Sequence, residues 1–139
     1  ICNRCFDLMC SRASKRIMTA DGKTLATKQI IQAWISECAA DIQAARLMIL
    51  NCAWKMDKYG NKAAREDVSM IKFFAANVMQ HVIDKALQVH GGLGMTDDII
   101  IPWFFRHERA ARIYDGADEV HKMSLAKRIL KGYENRDIR

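Results

Sequence analysis

A chain of 139 residues, half of them apolar, can bury a substantial core, which excludes a disordered polymer and suits a single domain. Lysine plus arginine outnumber aspartate plus glutamate by 22 to 16, and the resulting +6 favours anionic partners in general without selecting nucleic acid. No apolar run reaches the length of a membrane span, and Ile1-Cys2-Asn3-Arg4 neither opens a signal peptide nor supplies an initiating Met, so the chain is expected to be a fragment of something longer.

The first element is expected over residues 2 to about 18. Cys2, Phe6, Met9, Ala13 and Ile17 recur at steps of three and four, which is one helix face. Asp21-Gly22 then interrupts the pattern as a turn pair, and Thr27 stands where an N-cap would start the next helix.

The second helix carries the clearest period in the chain. Ile31, Ile35, Cys38, Ile42, Ala45, Ile49, Cys52 and Met56 alternate between steps of four and three. Trp34 and Leu47 widen that face beyond a two-stranded seam, which predicts a bundle rather than an isolated coiled coil. Gly60-Asn61 ends it.

A third helix is expected from about Lys62 to His90, with Val68, Ile71, Ala75, Val78, Val82, Ala86 and Val89 inward. Gly91-Gly92-Leu93-Gly94 stops it. Ile99-Ile100-Ile101 is apolar enough for a strand, but Pro102 follows and no partner strand is evident. Pro102 fits better in the first turn of a fourth helix ending about Tyr114. A fifth, from about Ala117 to Tyr133, would pack through Val120, Leu125 and Ile129. The pattern predicts an all-α fold: an antiparallel four-helix bundle with one additional short helix or helical turn, spanning 1–139 as a single domain.

Several side chains invite chemistry. Five cysteines, Cys2, Cys5, Cys10, Cys38 and Cys52, are an odd number, and no second Cys or His pair follows the first at zinc spacing, so they are expected to be structural thiols and no metal is expected. His81, His90, His107 and His121 have no metalloprotease spacing. The basic residues are dispersed, and no finger, RNA-binding or helix-turn-helix signature accompanies them. Gly91-Gly92-x-Gly94 follows a helix rather than a strand, so a helix C-cap competes with a ligand-approaching loop. In Ile113-Tyr114-Asp115-Gly116-Ala117-Asp118-Glu119-Val120-His121, three acids crowd the predicted start of the last helix. They can cap it and meet its dipole, or one can serve as a general base beside a glycine that permits close approach.

Two motifs carry a resemblance. Gln88-Val89-His90-Gly91-Gly92-Leu93-Gly94-Met95, followed by Phe105-Arg106-His107-Glu108-Arg109-Ala110-Ala111-Arg112-Ile113-Tyr114-Asp115-Gly116, strongly resembles the C-terminal helical domain of the flavin-dependent acyl-CoA dehydrogenases. The helix pattern extends the likeness over essentially the whole chain. The resemblance implies a larger subunit in which an N-terminal helical domain and a middle β domain precede this bundle. It implies FAD between middle and C-terminal domains, an acyl-CoA substrate, and a homodimer or homotetramer. Electron-transfer flavoprotein or oxygen would be the acceptor, in a mitochondrion or alternatively a peroxisome. The reaction it implies removes an α-hydrogen as a proton and the β-hydrogen as hydride.

By that resemblance Asp115 takes the place of the catalytic Glu of a Tyr-Glu-Gly sequence. It is similar to a branch of the family with Asp-Gly-Pro-Asp-Glu-Val-His, Ala117 replacing Pro. Tyr114 and Gly116 would adjoin the substrate. Arg16 matches a position that helps hold the FAD pyrophosphate, Asp118 and Glu119 positions near its adenosine portion, and Gln88, Gly91 and Gly92 positions that approach a neighbouring subunit's FAD. The family's Arg is kept in Arg16, while Thr19 stands at the offset of an aromatic residue that packs near flavin, in a segment with two extra residues. The isolated chain is expected to be inactive and without FAD, the full-length protein to carry it. The alternative from another class is a non-catalytic helical module for structure or oligomerisation.

Overall fold

The computed structural model describes residues 1–18 and 20–134. It is all-α, with no strand among the described residues: α1 (Cys2–Lys15), α2 (Gln29–Tyr59), α3 (Arg65–His90), α4 (Ile101–Glu108) and α5 (Asp118–Lys131). The expected short additional helix is the eight-residue α4. Short 3-10 segments at Leu25–Thr27, Gly91–Met95 and Arg109–Arg112 fill the connections. The chain falls into two compact units, one of Ile1–Ala44 with Asn77–Ala110, the other of Ala45–Ala76 with the chain from Ala111 on. No described helix is long and apolar enough to cross a membrane.

In the first unit α1 stops earlier than its apolar period predicts. Arg16 turns extended at φ −79° and ψ 112°, and Ile17 enters an isolated antiparallel bridge with Thr24. Ile17 is therefore exposed, and the fully buried positions are Cys5, Met9 and Ala13. The Asp21-Gly22 turn draws the chain back, with the Lys23 N–H donating to Asp21 Oδ1 at 3.2 Å. Helical periodicity cannot register that reversal. Thr19 lies outside the described residues. Thr27 does not cap α2: its hydroxyl donates to the Thr24 carbonyl at 2.8 Å. The Ile31 and Gln32 amides instead close the first turn on the Lys28 carbonyl.

Along α2 the buried residues are Ile31, Cys38, Ala45 and Cys52, spaced by seven. Ile35, Ile42 and Met56 are half-buried, while Leu47 and Ile49 are exposed. The packed stripe is thus narrower than the sequence period predicts. Lys85 of α3 lies over the Trp34 ring at 5.1 Å, tying the two helices in the first unit. Pro102 occupies the first turn of α4, Ile101 and Phe104 are buried there, and Arg4 lies over Phe104. The three isoleucines form no strand: Ile101 begins a helix, where Pro102 has no amide to lose.

In the second unit α3 begins at Arg65, three residues later than the apolar pattern predicts. Val68 is exposed and its neighbour Asp67 is buried. Lys55 Nζ donates to both Asp67 oxygens at 2.7 and 2.9 Å, and Asn51 Nδ2 donates at 3.0 Å. This ion pair joins α2 to α3 as antiparallel neighbours across the 60–64 turn. A buried carboxylate satisfied by three hydrogen bonds from two donors can displace a valine that the period would place inside. On α5 the half-buried stripe is His121, Ser124 and Leu125. Val120 and Ile129, expected inward, are exposed.

Candidate functional site

The stretch from Arg109 to His121 is built by two helix ends and the loop between them. α4 tightens into the 3-10 turn Arg109–Arg112, and α5 starts at Asp118 with Ala117, not Asp115 or Gly116, at the N-cap. Ala117 is extended, and its carbonyl accepts the Val120 and His121 amides. It has no side-chain cap, so Asp115 and Asp118 are not a capping box here.

Asp115 has φ +54° and is the only non-glycine in the left-handed region among the described residues. Asp tolerates that region better than most residues, at a cost of about 1 kcal/mol or more. Gly116 follows at φ +93°, a conformation that a side chain would resist. Two left-handed residues in succession suit an Asp-Gly reversal. The backbone is held there by His121, whose Nε2 donates to the Asp115 carbonyl at 3.2 Å. A Cβ on Gly116 would come within 3.0 Å of the same nitrogen.

The acids of this stretch part company. Asp118 is 1% exposed. Arg112 Nε donates to its Oδ2 at 2.8 Å, and Lys72 Nζ lies 3.8 Å from its Oδ1. Lys72 also donates to the Ala111 carbonyl at 2.8 Å. The Asp115 and Glu119 side chains are exposed and have no partner among the described residues. Tyr114 is half exposed beside Asp115. The chemistry available is therefore an uncommitted carboxylate on a left-handed turn of the backbone.

In the first unit a cavity of about 190 Å³ is lined by Arg16, Met18, Leu25, Trp34, Gln88 and Gly91, among others. It brings together three of the residues matched to FAD contacts. Arg16 Nε donates to Met18 Sδ, and Arg16 has no ion pair among the described residues. Gly91 takes the left-handed conformation that ends α3, and the space a Cβ would fill at Gly91 and at Gly92 is open. Gly94 is used differently, since a Cβ there would meet the Leu87 carbonyl oxygen at 2.5 Å. A guanidinium without an ion pair and an amide side chain, beside bare glycine backbone, fit a pyrophosphate-bearing cofactor.

The cysteines and His90 belong to packing. All five thiols are free. Burial, with Cys2 nearby, pushes Cys5 up to about 11. Burial, with Asp41 and Glu37, does the same to Cys38. Thiols so raised are poor nucleophiles. His90 is buried, its Nδ1 2.7 Å from the Ala86 carbonyl oxygen. Among the described residues no group of three or more His, Cys, Asp or Glu could hold a metal. Sequence reasoning missed Lys72 and Arg112, and gave His121 no role beyond its place in the motif. Their only signal was the presence of a partner charge or loop distant enough that no period links them.

Residues 1–130 match the family model described as "Acyl-CoA dehydrogenase, C-terminal domain". The chain belongs to the acyl-CoA dehydrogenase family. Among its relatives, the probable acyl-CoA dehydrogenase FadE2 of Mycobacterium tuberculosis is 42% identical over 89% of this chain and 30% of its own length. Acyl-CoA dehydrogenase family member 10 of Mus musculus is 41% identical over 92% of this chain and 12% of its own. The solved structure of a probable acyl-CoA dehydrogenase from Mycobacterium abscessus superposes with TM-score 0.85 at 28% identity, covering 92% of this chain and 33% of that one. As an acyl-CoA dehydrogenase C-terminal domain, the chain spans about a third or less of the relatives it matches.

Proposed function

We infer that the longer acyl-CoA dehydrogenase to which this chain belongs introduces an α,β double bond into an acyl-CoA thioester, with Asp115 as the base. The observation that carries this reading is the Asp115 backbone: a non-glycine held left-handed, its carbonyl anchored by His121, its carboxylate exposed and uncommitted. The placement of Asp where many members of the family have Glu follows from the motif likeness.

Asp115 takes the α-proton, and the electron pair left behind forms the double bond as the β-hydrogen departs. FAD, when bound, supplies the acceptor for that hydride. Tyr114 and Gly116 flank the carboxylate, and by the motif likeness Gly116 lies near the thioester. Arg16 offers a full charge to a pyrophosphate, and Gln88, Gly91 and Gly92 offer an amide and bare backbone. Glu119 would meet sugar hydroxyls or backbone-facing groups of the adenosine portion. Any contact of position 118 with that portion would run through its backbone, because its carboxylate is already paired. Electron-transfer flavoprotein or oxygen would reoxidise the flavin.

A second reading keeps the domain as a structural or oligomerisation module. It is favoured by the exposed apolar side chains of the second unit, Leu50, Trp54 and Tyr59 on α2 and Met123 and Leu130 on α5. One experiment separates the two: the full-length protein, tested for flavin absorbance and for turnover of an acyl-CoA panel with an artificial acceptor. Flavin and turnover support the enzyme. A protein that purifies without flavin and cannot be reconstituted supports the module.

A further inference from the structure

Of the acids that follow Tyr114, Asp118 is the buried one, and it lies against Arg112 and Lys72. We propose that Asp118 is a positioning residue for Asp115: paired to Arg112 and Lys72, it clamps both ends of the Ile113–Ala117 loop and so fixes the direction of the Asp115 carboxylate. This rests on the reading of Asp115 as the base.

The geometry has three anchors around five residues. Arg112 ends the turn before the loop and Asp118 begins the helix after it, so their 2.8 Å contact closes the loop at its base. Lys72, reaching in from α3, donates to the Ala111 carbonyl on one side and pairs with Asp118 on the other. Both loop ends therefore depend on one side chain from a separate helix. His121 then holds the carbonyl of Asp115 itself at the middle of the loop.

Such anchoring is needed because the Asp115 backbone is strained. A left-handed non-glycine persists only where its surroundings over-determine it, and an untethered five-residue loop would relax toward ordinary φ values. Asp is also a methylene shorter than Glu, so its reach depends on the backbone more than on the side chain. Displacement of a reacting group by about 1 Å can cost roughly a hundredfold in rate. Burial makes the clamp stiff: Asp118 is 1% exposed, and the Lys72 side chain is largely buried with it.

The motif likeness gives position 118 another role, near the adenosine part of FAD, and the two roles differ in what a charge-removing substitution changes. The test uses the full-length flavoprotein. Asp118→Asn removes the charge and keeps the volume; Lys72→Met and Lys72→Arg form a second pair in which only the latter keeps the cation. Expected for Asp118→Asn are a kcat lower by about tenfold or more, a KM within about twofold, and an unchanged flavin-to-protein ratio. Backbone amides of 113–117 should exchange with solvent at least roughly tenfold faster. Lys72→Met should behave likewise and Lys72→Arg should retain most of kcat. Should Asp118→Asn fail to fold, the Lys72 pair carries the same comparison. An unchanged kcat and exchange rate would overturn the proposal, and so would a kcat loss that tracks flavin loss. Asp115→Asn separates the two levels: wild-type turnover there overturns the base assignment, whereas the exchange rates of 113–117 still decide whether Asp118 holds the loop.

Discussion

Arg112 and Asp118 face each other across the loop that carries Asp115, Nε to Oδ2 at 2.8 Å, with the carboxylate almost fully buried. Removing one member of a buried pair leaves the other uncompensated, at about 3–5 kcal/mol. Asp118→Ala should therefore lower the denaturant midpoint strongly, since it takes the ion-pair partner from both Lys72 and Arg112. Arg112→Ala should cost less, because the Arg112 side chain is 31% exposed and Lys72 remains as partner. Chemical denaturation of the two variants checks the order; equal or reversed losses would contradict it.

Gly116 and His121 should behave as a coupled pair. Gly116→Ala adds a Cβ at φ +93° and 3.0 Å from His121 Nε2, so it meets backbone strain and a steric contact together. A loss of about 1–3 kcal/mol is expected. In Gly116→Ala/His121→Ala the contact is gone and only the strain remains, so the double variant should lose less than the two single losses added. Strict additivity in a double-mutant cycle would show that the imidazole does not confine Gly116.

The raised thiols make stability fall at alkaline pH. Folded Cys5 and Cys38 hold their protons up to about 11, while an unfolded thiol loses its own near about 8.5. Between those values the native state binds more protons than the unfolded one. The contribution is complete below about pH 8.5 and is lost as pH rises through about 11. Urea midpoints compared at about pH 8 and about pH 10.5 should fall less in Cys5→Ala/Cys38→Ala than in the parent chain. An unchanged slope in the double variant would refute the assignment to these thiols.

Asp67 tests the α2–α3 hairpin of the second unit. Asp67→Ala removes the acceptor of Lys55 and Asn51, and an expected loss of about 1–3 kcal/mol follows from the broken charge-assisted bonds. The figure stays modest because Lys55 is 36% exposed and recovers water. Val68→Ala, one residue away and facing solvent, should change stability by less than about 0.5 kcal/mol. Denaturation midpoints of the two variants check a contrast that apolar periodicity alone would have inverted.

That inversion marks how far the sequence was legible. Helix number, order and the Pro102 start of α4 could be read because period, proline and glycine act locally. Ile31, Cys38 and Cys52 were correctly placed inside, yet Ile49 and Leu47 were not, since a period defines a face and not its width. Ile17 and Thr27 went wrong where a backbone reversal at Asp21-Gly22 overrode side-chain patterning. Asp67 and Asp118 were illegible for a different reason: a buried acid is admitted by partners distant in sequence, Lys55 and Lys72, which no local rule connects to it. The position of Asp115 in its loop could be read from the motif; the left-handed backbone under it could not.

The base assignment is tested most directly by Asp115→Asn in the full-length flavoprotein, because Asn tolerates the same left-handed backbone and removes only the proton acceptor. With the flavin spectrum as a loading control, kcat for an acyl-CoA panel is measured against an artificial electron acceptor. A loss of about a hundredfold to ten-thousandfold with flavin retained is the predicted result. Turnover at the wild-type rate would contradict the account.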